Sequence, residues 1–127
     1  MKRIQKILNH PLYQEQFKLL QDAEKEREFC RHTMEHFVDV ARLMYIYTLE
    51  EKTNVSKELI YAAALLHDIG RYEQISLGTP HHISGARIAD EVMTSCNFSI
   101  SNRAAFVSNA PVGSSAKRIS GLEIKLR

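Results

Sequence analysis

Six histidines occur in this chain, and five of them (His32, His36, His67, His81 and His82) fall near expected helix ends. One, His67, is followed directly by Asp68. An imidazole and a carboxylate at the end of an apolar helix are costly to desolvate unless each has a partner. A divalent cation partners both at once. Imidazole and carboxylate together suit a first-row divalent ion. In a hydrolase such an ion binds a phosphate oxygen as a Lewis acid and lowers the pKa of its water toward ~7. Neighbouring helical residues point about 100° apart, yet both side chains are long enough to meet one ion at a helix end. Arg71, just beyond, offers a planar fork of donors to a phosphate.

The element that must hold this pair is Leu59–Gly70, LIYAAALLHDIG. Its apolar run is rich in Ala and Leu and has few β-branched residues, so it reads as a buried helix. Ser56 suits its N-cap, and Gly70 reads as its stop through the left-handed conformation that closes helices. Upstream, Phe37, Val40, Ala41 and Met44 recur at helical spacing, which predicts a long amphipathic helix over Phe29–Leu49. His32 and His36, four apart, project from one face near its beginning. His32 is read first as a first-turn residue, at the surface or behind the ligands, and second as a ligand itself.

Downstream, Arg71–Pro80 reads as irregular, and His81 opens a further helix running through Met93. Two helices precede all of this, Met1–Leu8 and Tyr13–Asp22, with Pro11 in the first turn of the second. His10, at their junction, reads as a polar loop residue. The alternating charges of Asp22–Glu28 read as a solvated face or connector. A short helix holding Ala104–Val107, capped by Ser99 or Ser101, closes the helical part. Beyond Ser108, Pro111, Gly113, two adjacent serines and Gly121 leave weak periodicity. Residues 1–108 are therefore expected to form one all-α domain, with 109–127 an irregular tail carrying at most a short helix or extended piece over 121–127.

Composition agrees with a single ordinary domain: 127 residues, 44% hydrophobic and 25% charged. A net charge of +2 is too small to argue for nucleic acid or an anionic membrane as partner, and neither is expected. No apolar run reaches the ~20 residues needed to span a bilayer, and the opening residues lack a signal-peptide core. Cys30 and Cys96 form no metal-type pair and read as free thiols of a reduced, cytoplasmic protein.

His36-Phe-Val-Asp-Val-Ala, then Ala64-Leu-Leu-His67-Asp68-Ile-Gly-Arg, then His81-His-Ile-Ser-Gly85-Ala86, resembles the HD-domain superfamily of metal-dependent phosphohydrolases. The likeness covers roughly residues 29–93. It implies an HD-type helical bundle and hydrolysis of a phosphoester or phosphoanhydride of a small molecule, often a nucleotide, by metal-bound water. It implies His36, His67 and Asp68 as three of four core ligands to a divalent ion (Mn, Fe, Ni, Co, Zn or Mg). It adds His81 as a ligand of two-metal branches, with His82 the rival in the adjacent register and a candidate for substrate binding. Arg71 would orient the substrate. Homo-oligomers are compatible with the likeness.

The sequence departs from the family in one respect. The fourth core ligand is an Asp on a late helix, and here no Asp follows Asp90, Asn109-Ala-Pro111 stands where two-metal branches place a His, and Glu123 is a poor substitute by position. The alternative is thus a degenerate HD module that binds metal or nucleotide without turnover, or a regulatory or interaction domain.

Overall fold

The protein is described by a computed structural model for residues 1–99 and for two short strands, 118–119 and 122–123. Among the described residues six helices run in order: α1 Lys2–Leu8, α2 Pro11–Ala23, α3 Met34–Glu50, α4 Lys57–Leu66, α5 Arg71–Leu77 and α6 His81–Ser95. A two-residue antiparallel hairpin follows, β1 Arg118–Ile119 with β2 Leu122–Glu123, in the register Arg118 to Glu123. The all-α expectation holds apart from this hairpin. The expected helix over 104–107 and the boundary at 108 lie outside the described residues.

The centre of the bundle is α4. Ile60 and every residue from Ala62 to Leu66 are buried, so this helix has no solvent face near its C-terminus. Its three alanines let neighbouring backbones approach closely. Helix α3 lies along it, presenting Phe37, Val40, Ala41, Met44 and Thr48. Helix α1 also rests on α4, tied by an Arg3–Glu58 ion pair. Helix α2 packs against α5 and α6, and α5 against α6.

The caps follow the sequence closely. The Ser56 hydroxyl accepts from the Leu59 amide at 3.1 Å, as expected. Pro11 stands at the first helical position of α2. His10 is more than a loop residue, because its Nδ1 accepts from the Leu12 amide at 3.1 Å and caps α2.

Three expectations need correction. Helix α3 starts at Met34, not Phe29, because the Thr33 hydroxyl caps it and accepts from the His36 amide at 3.3 Å. His32 therefore sits in the loop before α3. Second, Arg71–Leu77 is helical rather than irregular, since RYEQISL contains no Gly or Pro to interrupt it. Third, Gly70 has φ −81°, ψ 0°, an ordinary right-handed conformation. The left-handed stop is Gly78 (φ 74°), whose amide donates to Gln74 O and ends α5.

Gly70 is required for a different reason. A Cβ there would stand 2.4 Å from Gly85 N and 2.5 Å from His81 O, both backbone atoms of α6. The turn after α4 and the first turns of α6 thus meet with no room for a side chain. This crossing brings the start of α6 to the end of α4.

Candidate metal centre

Three ligand atoms, one each from His36, His67 and Asp68, lie within 4.8 Å of one another. They come from the first turn of α3 and from the turn that ends α4. Ligands about 2.0–2.2 Å from an ion stand roughly 3–4 Å apart, so a bound ion would draw these atoms together from separations of up to 4.8 Å.

Ring orientation adds to this. His67 Nδ1 lies 2.6 Å from Ala64 O. A carbonyl only accepts, so Nδ1 carries the proton and donates. His67 Nε2 is then the atom turned to Asp68 Oδ2, at 3.1 Å. In the neutral ring that nitrogen is a bare lone pair facing an anionic oxygen. Either a second proton or a cation must relieve the contact, and a cation can do so for both groups. Phe37, fully buried, meets the His67 ring edge-on with centroids 5.8 Å apart and fixes its plane.

Asp68 is surrounded on both oxygens. Oδ2 faces His67 and also His32 Nε2 at 3.6 Å. Oδ1 faces Arg71 Nε at 3.4 Å and His81 Nε2 at 3.8 Å. Burial by itself would raise the Asp68 pKa. The hydrogen bond and charge that His67 supplies when doubly protonated, with the charges of Arg71 and His32, outweigh it and hold the carboxyl well below the usual range. Asp68 is therefore ionised at neutral pH. Burial, with the charge of His67 next, lowers the pKa of His36; burial, with the charge of Arg71 next, lowers that of His81. Both rings are neutral at pH 7, the form that can ligate.

The histidine rivals at the start of α6 separate cleanly. His81 is anchored by Gln74, whose Oε1 accepts from its Nδ1 at 2.6 Å, and its other nitrogen points to Asp68. His82 meets the His81 ring edge-on, centroids 6.0 Å apart, and forms no ion pair with Asp68 among the described residues. Arg71 is at the site, its Nε buried and lacking a hydrogen-bond acceptor.

The residue the sequence underweighted is His32, together with the carboxylate behind it. Glu24, from the charged run taken as a solvated connector, has a side chain only 2% exposed. Its two oxygens accept from the His32 amide at 2.9 Å and from His32 Nδ1 at 2.8 Å. A usable signal existed: Glu24 continues the buried face of α2 at four residues beyond Leu20, itself four beyond Gln16. A carboxylate in phase with a buried face must find a partner inside.

A family model described as "HD domain" matches residues 33–121. An uncharacterised protein of Clostridium beijerinckii is 44% identical over 93 residues, which is 73% of this chain and 59% of that relative. The chain thus spans about three fifths of the relative's length. No solved structure matches. Among the described residues, no helix is long and apolar enough to cross a membrane.

Proposed function

We propose, since this chain belongs to the HD domain family of metal-dependent phosphohydrolases, that it hydrolyses a phosphoester or phosphoanhydride of a small molecule, with nucleotides the first class to test. The observation that carries this reading is the convergence of one ligand atom each from His36, His67 and Asp68 within 4.8 Å. These three residues would hold a divalent ion, which would supply Lewis-acid polarisation of a phosphoryl oxygen and acidify water.

The remaining roles belong to the chain itself. Asp68, ionised and buried, brings the negative charge that binds the cation. His67 keeps its Nε2 lone pair aimed inward because its Nδ1–H donates to Ala64 O. His81, held by Gln74, stands on the Oδ1 side of Asp68, where it can assist a second ion or a phosphate. Arg71 has donors left for a phosphate oxygen and would orient the substrate, with His82 beside His81 as an outer contact.

A purified sample would be stripped with a chelator, reloaded with Mn, Ni or Co, and assayed on a generic phosphodiester and a nucleotide panel. Metal-dependent turnover that Asp68→Ala abolishes is the expected result. Metal bound at one ion per chain with no turnover on any phosphate ester supports the second reading, a module that binds without hydrolysis. What favours that second reading is that, among the described residues, three ligand atoms converge where the family resemblance implies four.

A further inference from the structure

We propose that His32, held by Glu24, is a further protein ligand to the cation gathered by His36, His67 and Asp68. This rests on the metal-binding part of the functional reading and adds a donor to it. Three imidazoles around Asp68 share one arrangement: each has Nδ1 tied to an acceptor away from the site and Nε2 turned to the carboxylate. For His67 the acceptor is Ala64 O, for His81 it is Gln74 Oε1, and for His32 it is Glu24 Oε2 at 2.8 Å. An imidazole that ligates a metal characteristically donates its other N–H to a carboxylate or carbonyl, which fixes ring and tautomer.

His32 satisfies this more fully than the others, because its backbone amide is held by the same carboxylate as its ring. Glu24 only accepts, so Nδ1 bears the proton and Nε2 is the lone pair. That lone pair lies 3.6 Å from Asp68 Oδ2, the oxygen His67 also faces. Two ligands about 2.1 Å from a common ion stand at roughly this separation, so His32 would join from the Asp68 side, its nitrogen lying outside the His36, His67 and Asp68 group whose ligand atoms are all within 4.8 Å of one another. The ring also meets the His36 ring edge-on, with centroids 5.7 Å apart. A surface role does not explain why a carboxylate is buried at the end of α2 to orient this ring.

The test uses Co(II) as the probe, on the full chain. Proton spectra of the Co(II) protein carry one hyperfine-shifted imidazole N–H signal for each ligating histidine whose other nitrogen is protected. His32→Asn should remove one such signal, leave that of His67, and weaken Co(II) binding about 100-fold or more, beyond the 10–100-fold expected for a supporting partner. Glu24→Gln, which keeps an oxygen for the ring N–H, should retain that signal but shift it, and serves if His32→Asn does not fold. An unchanged signal set in His32→Asn, or in Glu24→Gln should the first variant be unfolded, overturns the assignment while the three-residue site stands. If the wild-type chain binds no Co(II), the functional reading and the His32 assignment fall together.

Discussion

Arg71 is the residue whose role is most sharply separable from metal binding. Its Nε is buried 3.4 Å from Asp68 Oδ1 without a hydrogen-bond acceptor, while the side chain remains partly open to solvent. A guanidinium presents a fork that an ammonium cannot reproduce. Arg71→Lys should therefore leave the metal content unchanged and lower kcat/KM on a phosphate ester about 10–100-fold, read by steady-state kinetics beside elemental analysis. Loss of metal in this variant would instead make Arg71 a structural neighbour of Asp68. At this scale the sequence is most legible where chemistry and spacing coincide: His36, His67 and Asp68, which the motif singles out, bring ligand atoms within 4.8 Å of one another. It was least informative for His32, since its orientation depends on Glu24 eight positions earlier, across a turn whose path no local pattern encodes.

Among the elements, the crossing of the α4–α5 turn on α6 sets the site's width. A Cβ on Gly70 would collide with backbone at Gly85 N and His81 O, neither of which can move aside as a side-chain tip could. Gly70→Ala should cost about 3 kcal/mol, at the upper end of overpacking penalties. It should also displace His81 from Asp68. Gly85→Ala places its Cβ 3.7 Å from His67 O, an ordinary contact, inside a helix where Ala is favoured over Gly by about 1 kcal/mol. That variant should be neutral or slightly stabilising. Urea denaturation of the two side by side distinguishes them. The glycine at 70 could be noticed in the sequence, but its reason could not. A left-handed stop and a close helix contact leave the same letter, and only the partner backbone tells them apart. The same limit applies to Arg71–Leu77, too short to show a helical period and lacking any breaker before Gly78.

Taken whole, the molecule draws its candidate ligands from distant parts of the chain: His32 before α3, His36 on α3, the pair after α4, and His81 opening α6. A site that exists only in the folded chain couples ion binding to folding. Free ion at 100 times its dissociation constant should raise unfolding stability by about 2.7 kcal/mol. Thermal melts with and without chelator would check this. The bundle itself was legible because α2, α3, α4 and α6 each bury a stripe at helical spacing and carry identifiable caps. Glu24 gives the arrangement a reach beyond chemistry. Standing at the end of α2 and gripping the ring before α3, it is the rivet between the N-terminal helical pair and the candidate metal centre. Whatever fills that centre will consequently be felt as a quieting of the N-terminal hairpin, far from any phosphate.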